Sequence, residues 1–159
     1  MKEHHYTLQL KWAGNLGKGT SGYNDYSRDH NIRVKGKRKI SCSSDPSFKG
    51  DDTRYNPEEL FLASISNCHL LWYLHLCAVN NVIVISYEDN PVGKMVEKKD
   101  GSGHFESVVL RPTVEVEHES MMEKALSLHH DANEKCFIAN SLNFKVEHEP
   151  EVVVYLQDK

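Results

Sequence analysis

The chain has 159 residues, the length of one domain, and a formal net charge of −4. At 39% apolar and 26% charged residues it is too apolar for a disordered chain and too irregular for a fibrous one. Nucleic-acid binding needs a concentrated basic surface, and the one basic cluster, residues 33–39, is interpreted as a solvated strand and turn. The unbroken apolar stretches are short for a membrane span, and Met1-Lys2-Glu3 opens no signal peptide. We therefore expect a cytoplasmic protein that binds neither nucleic acid nor membrane.

The N-terminal third predicts β-structure. Tyr6, Leu8 and Leu10 alternate with polar residues, which is typical of a strand, and a turn follows at residues 14–17. Two further short strands are predicted at residues 31–34 and 39–43. A polar stretch then leads into a segment of a different kind.

That segment predicts a long helix over residues 57–79. Asn56 is its expected N-cap, Pro57 suits the first turn, and Glu58 and Glu59 complement the helix dipole. One apolar face recurs at spacings of three and four residues: Phe61, Ile65, Cys68, Trp72, His75 and Val79. Because Leu60, Leu71 and Leu74 flank this face, the helix is apolar nearly all round and is predicted to be central and buried.

The remainder predicts strands, a second helix and strands again. Ser120 and Glu123 have the spacing of a capping box that opens the second helix, which includes His129. The other predicted segments are a strand at 82–87, a hairpin turn near 98–103, a strand at 114–117, a short helical piece after Cys136, and strands at 144–148 and 151–156. This order predicts a single α+β domain over residues 1–159.

The four cysteines show no C-x-x-C or zinc-knuckle spacing. Cys77 lies nine residues after Cys68, on the opposite face of the helix at about 100° per residue, and is interpreted as a packing residue. Cys42 falls in a predicted strand and is interpreted in the same way. Cys136 follows a helix end, so Cys68 with Cys136 is the most plausible dithiol, while unpaired buried thiols remain the default.

Three segments, in the right order, resemble the OsmC/Ohr superfamily of osmotically inducible protein C and organic hydroperoxide resistance protein. Asn56-Pro57-Glu58-Glu59-Leu60, with Cys68 twelve residues after the Asn, resembles its N-P-E-[EQ]-L signature. Residues 129–136 resemble its A-H-E-x-C element, and residues 12–20 are similar to its first hairpin. The resemblance covers essentially the whole chain.

The resemblance implies an OsmC-like fold, with antiparallel sheets around a long central buried helix in an intertwined homodimer. It implies a thiol peroxidase for organic hydroperoxides, with Cys68 as the peroxidatic thiolate and Cys136 as the resolving thiol. No metal or flavin cofactor is implied. The oxidised form would be reduced by an external dithiol, either a small thiol or a lipoyl protein.

The resemblance also implies an Arg near the sulfur, held by Glu58. Arg28 is the first candidate and Arg54 the second, although each could be a solvated charge and Glu58 a simple first-turn charge. Glu58 and Cys68 are ten residues apart, about 15 Å along a straight helix. Either the helix breaks near its start, or a second chain completes the site. His69 after Cys68 and Phe137 after Cys136 depart from the family pattern and indicate a divergent branch.

Two alternatives stay open. Cys68, His69, Cys136 and His129 or His130 are soft ligands that could bind zinc or copper. The plainer interpretation is that His129 packs on the helix face and His130 is exposed. Alternatively, the protein is a non-catalytic dimer that binds an apolar small molecule, in a pocket lined by the aromatic residues near the thiols: Phe61, Trp72, Tyr73 and Phe137. The plainer interpretation of these four is that they are core.

Overall fold

A computed structural model describes residues 2–156. The chain divides into two compact units, one up to Phe61 and one from Leu62 onward. The boundary falls inside the long helix, and each unit is described separately.

The N-terminal unit contains one antiparallel sheet of three strands in the order β1-β2-β3. The strands are β1 (Gln9–Trp12), β2 (His30–Arg33) and β3 (Ile40–Cys42). Gly36, at φ 80°, allows the tight turn between β2 and β3, which the Lys37 amide closes on the Val34 carbonyl at 3.0 Å. The three predicted strands are present, although each is shorter than expected or shifted.

The long helix α1 spans Pro57–Val79, the predicted range. Asn56 caps it as predicted: its Oδ1 accepts from the Glu59 amide at 2.8 Å, and Glu59 Oε2 accepts from the Asn56 amide at 3.0 Å. By length and composition alone α1 could cross a membrane, a test that core helices of soluble proteins also pass.

The buried face of α1 differs from the predicted one. The buried residues are Ile65, His69, Tyr73, Leu76 and Cys77. The predicted face is displaced by about one residue, so that Cys68 and Trp72 are half-buried and His75 is exposed. Leu71 and Val79 are 63% and 61% exposed, so within one chain α1 is not buried all round. A helix that is apolar on every side does not reveal by its periodicity which side its own chain covers.

The C-terminal unit contains two mixed three-stranded sheets, β4-β7-β9 and β5-β6-β8. Each combines an antiparallel pair, β4/β7 or β5/β6, with a parallel pair, β7/β9 or β6/β8. The elements are β4 (Val84–Asp89), β5 (Val92–Glu97), β6 (Gly103–Leu110), β7 (Pro112–Val116), α2 (Met122–Lys135), β8 (Val146–His148) and β9 (Glu151–Val154). The α+β class is confirmed.

The start of α2 is not the predicted capping box. Ser120 lies inside a 3₁₀ turn, Glu119–Met121, that continues directly into α2, and no side chain caps the helix. A capping Ser needs an extended backbone, and here the extended residue is His118. A second short 3₁₀ turn, Ala139–Ser141, is the predicted helical piece after Cys136.

The core of the C-terminal unit joins α1, α2 and β7. Val114 and Val116 of β7 are fully buried and Glu115 between them is not, as its alternating sequence predicts. The cluster consists of Tyr73, Leu76, Cys77, Val82, Val114, Val116, Ala125, Leu128 and Ala132. This packing places α2 beside α1 and sets the position of the residue that ends α2, Cys136.

Candidate active site

The structure brings Cys68 and Cys136 together. Cys68 is half-buried on α1, and Cys136 is buried at the end of α2. Their side chains interact directly, although 68 positions separate them in sequence. Both are free thiols, as are Cys42 and Cys77. Cys42 is buried in β3 and Cys77 is buried in the core beside Tyr73, which are packing environments.

The Cys136 thiol has an unusually high pKa. Burial is the main cause and the neighbouring Cys68 side chain adds to it, so that the pKa of Cys136 rises to about 11. The Ala139 amide donates to the Cys136 sulfur at 3.4 Å and acts in the opposite direction. Cys136 is therefore a protonated thiol at neutral pH and can donate its proton toward the Cys68 sulfur.

An apolar groove lies one helical turn beyond Cys68. Its lining residues are Leu71, Trp72 and His75, and its volume is about 280 Å³. Phe137, next to Cys136 and 71% exposed, packs edge-to-face on Trp72 with ring centroids 5.7 Å apart. Of the predicted aromatic lining, Tyr73 is fully buried core instead. Aromatic side chains thus lie near both thiols, Trp72 on α1 and Phe137 directly after Cys136.

Two buried histidines lie on the helices that carry the thiols, His69 on α1 and His129 on α2. His69 Nε2 lies 3.0 Å from His129 Nδ1, and the Tyr73 ring stacks on His129 at 3.9 Å. His148 lies 5.9 Å from His69, centroid to centroid. Burial lowers the pKa of His69 to about 4 and that of His129 to about 3. His129 is buried on a face of α2, as the sequence suggested. Its contact with His69, 60 positions away, could not be predicted from local spacing.

The metal interpretation is not supported. Within residues 2–156, no group of three or more His, Cys, Asp or Glu side chains is arranged to hold a metal ion. The facing nitrogens of His69 and His129 are 3.0 Å apart, a hydrogen-bond distance, whereas two ligands of a tetrahedral zinc lie about 3.3 Å apart with the metal between them. His130 points outward and pairs with Glu134 at 3.3 Å, as the plainer interpretation expected.

The candidate activating residues Glu58, Arg28 and Arg54 belong to the N-terminal unit. Arg28 is held between the Tyr23 and Tyr26 rings, 4.3 and 4.2 Å from their centroids, and its Nη1 donates to the Tyr26 carbonyl. Its Nη2 is buried without a hydrogen-bond partner, and so is Glu58 Oε2.

Arg54 is already engaged. It forms ion pairs with Asp29 at 3.4 Å and with Asp51 at 3.1 Å. Since α1 runs unbroken from Pro57 to Val79, the first of the two alternatives, a helix break near its start, does not occur, and the second, completion of the site by another chain, stays a prediction.

The fold is that of the OsmC/Ohr superfamily, as comparison with known proteins shows. The family model described as "OsmC-like protein" matches residues 50–151, and the chain belongs to this family. No curated protein matches the sequence.

Solved structures of the same fold cover nearly the whole chain. An OsmC-like protein of unknown function from Vibrio cholerae is 33% identical, with a TM-score of 0.81 over 94% of this chain and 99% of that one. An organic hydroperoxide resistance protein from Elizabethkingia anophelis is 16% identical, with a TM-score of 0.67 over 97% and 100%. That of Bacillus subtilis is 20% identical, with a TM-score of 0.61 over 93% and 98%. At 16% and 20% identity the likeness shows a shared fold.

Proposed function

We propose that this protein is a thiol peroxidase that reduces organic hydroperoxides through Cys68 and Cys136. The observation that carries the proposal is the direct interaction of these two thiols inside an OsmC-like fold. In the first step the Cys68 thiolate attacks the outer peroxide oxygen and the O–O bond breaks. The alkoxide leaves and takes a proton to become an alcohol, and Cys68 becomes a sulfenic acid.

The second step resolves the sulfenic acid. The Cys136 sulfur attacks the Cys68 sulfur, an S–S bond forms, and the S–O bond breaks with loss of water. An external dithiol, a small thiol or a lipoyl protein, then reduces the disulfide by exchange and is itself oxidised. A reducing cytoplasm would keep the resting thiols free, and we place the protein there.

The apolar groove supports the preference for organic over hydrogen peroxide. Leu71 and Trp72 lie one turn from Cys68, and an alkyl group that leaves water for such a surface gains about 0.8 kcal/mol per CH₂. The same groove would serve the alternative function, a non-catalytic dimer that binds an apolar small molecule. The two differ in whether Cys68 is oxidised rapidly by the peroxide.

We assign the activation of Cys68 to Arg28 and Glu58, following the family resemblance. Arg28 is preferred to Arg54 because its Nη2 has no hydrogen-bond partner, whereas Arg54 already pairs with two carboxylates. Glu58 Oε2 is also buried without a hydrogen-bond partner. Buried polar atoms are normally satisfied, so a second chain or a substrate is expected to supply the missing contacts.

Consumption of cumene hydroperoxide with dithiothreitol tests the proposal. Cys68→Ser should abolish turnover, because its hydroxyl is not a nucleophile at neutral pH. Cys136→Ser, mixed with the peroxide in the absence of dithiothreitol, should still reduce one equivalent of peroxide but should form no intramolecular disulfide. Cys42→Ala is the matched control and should leave the rate unchanged. Peroxide consumption by Cys68→Ser at the wild-type rate would contradict the mechanism, and an inactive wild type that binds apolar ligands would favour the alternative.

A further inference from the structure

The His69–His129 contact joins α1 directly to α2. Both side chains are almost fully buried, and their nitrogens approach to 3.0 Å. In a pair of neutral imidazoles one N–H donates and the facing nitrogen accepts, which makes the contact directional. The contact therefore specifies one arrangement of the two helices more narrowly than apolar packing does.

Each histidine lies on the same element as one of the thiols. His69 directly follows Cys68 on α1. His129 precedes Cys136 by seven residues, two turns of α2, which places both on nearly the same side of that helix. A shift of α2 along or around its axis that broke the imidazole contact would also move the Cys136 sulfur away from Cys68.

The buried His69–His129 pair stabilises the fold less than two apolar side chains in the same positions would. The second nitrogens, His69 Nδ1 and His129 Nε2, are buried without a hydrogen-bond partner. Two buried polar groups that are only half satisfied destabilise the fold relative to leucines of similar volume. A cost of this kind beside the thiols points to a role for the hydrogen bond itself.

We propose that His69 and His129 are positioning residues for the resolving step: their hydrogen bond holds α2 against α1 so that the Cys136 sulfur reaches Cys68 after its oxidation. The inference rests on the proposed peroxidase cycle. It predicts a specific defect, because peroxide reduction at Cys68 needs only Cys68 and its activating groups, whereas disulfide formation needs both helices in register.

Single-turnover oxidation of the reduced protein tests this role. After mixing with cumene hydroperoxide, the sulfenic acid is trapped with dimedone in one set of samples, and in a second set without dimedone the disulfide is followed by loss of alkylation at Cys136 after denaturation. In His129→Leu the sulfenic acid should form at the wild-type rate, while disulfide formation should slow about tenfold, the effect of losing roughly one hydrogen bond. His129→Asn, whose amide can replace Nδ1, and His69→Gln, whose amide can replace Nε2, should recover most of the rate.

His130→Leu is the matched control, since His130 is exposed on the same helix, and it should behave as wild type. If His129→Leu does not fold, His69→Phe removes the nitrogen while it retains a ring for the stack, and it should show the same defect. Wild-type disulfide rates in His129→Leu or His69→Phe would overturn the proposal. Equal defects in His129→Leu and His129→Asn would also overturn it, because volume and not the hydrogen bond would then matter.

A second oxidant separates this proposal from the peroxidase function. Diamide, an azodicarboxamide, takes two electrons and two protons from a neighbouring thiol pair and leaves a disulfide, so it needs no peroxide chemistry. A wild type that forms the disulfide with diamide and not with cumene hydroperoxide would contradict the peroxidase alone. The same slowing of His129→Leu with diamide would still support the positioning role, and its absence would still overturn it.

Discussion

Burial shifts the pKa of the thiol and the pKa values of the imidazoles in this site in opposite directions, and each shift favours the uncharged form. Burial raises the pKa of Cys136 and lowers those of His69 and His129, because in each case the charged form is the one that loses water. At neutral pH all three side chains are therefore uncharged. The buried contact between α1 and α2 is thus formed by neutral groups, and it is sensitive to acid.

The histidines should make the fold acid-labile. Their pKa values in the folded state, about 4 and about 3, lie below the ordinary value of 6.5. Below pH 6.5 the unfolded state therefore binds more protons than the folded state does. The free energy of unfolding should therefore fall between pH 7 and pH 5, by about 2 kcal/mol per buried histidine. Urea unfolding at the two pH values measures the difference.

The variants of the imidazole pair isolate this contribution from that of the carboxylates. His69→Leu and His129→Leu should each lose less stability between pH 7 and pH 5 than wild type does. His130→Leu, on the exposed side of α2, should follow wild type. An equal pH dependence in all four proteins would show that the two imidazoles protonate in the folded state as readily as in the unfolded one.

At the level of elements, α1 and α2 begin in different ways. The reciprocal hydrogen bonds of Asn56 and Glu59 fix the start of α1. α2 emerges from a 3₁₀ turn, in which Ser120 makes no capping bond. The sequence contains the motif S-x-x-E of a capping box. Ser120 nevertheless lies within the 3₁₀ turn and lacks the extended backbone that a capping residue needs.

This difference predicts unequal effects of two alanine substitutions. Asn56→Ala should lower the free energy of unfolding by about 1 kcal/mol, since it leaves the Glu59 amide without its acceptor. Ser120→Ala is the matched control and should change it by less than about 0.5 kcal/mol. Both are measured by urea unfolding at pH 7, and an equal loss in the two variants would contradict the assignment of the caps.

At the level of the whole molecule, the exposed side of α1 is the feature that a single chain leaves unexplained. Leu74 and Val79 both lie outside the buried face of this helix. Exposed apolar residues on a helix with a buried opposite face are typical of a subunit interface. A homodimer, which the family resemblance implies, would cover this surface.

The protein should accordingly migrate as a dimer, with twice the chain mass of 18.2 kDa. Light scattering after size exclusion measures the mass directly. Val79→Lys should shift it toward the monomer, because a charge would be buried without a partner. Lys124→Glu, a charge change on α2, is the control. A wild-type mass of one chain at micromolar concentration would contradict the dimer.

The sequence by itself determined the bounds of α1, the cap at Asn56, the α+β class and the candidate thiols. These depend on local spacing, on turn chemistry and on a motif whose residues lie within a few positions of one another. Only the tertiary structure decided which side of α1 is buried, that Cys68 meets Cys136, and that His69 bonds to His129. The two side-chain contacts join residues 60 or more positions apart. They depend on how β7 and α2 pack on α1, a helix that is apolar on every side and could therefore be packed against on any of them.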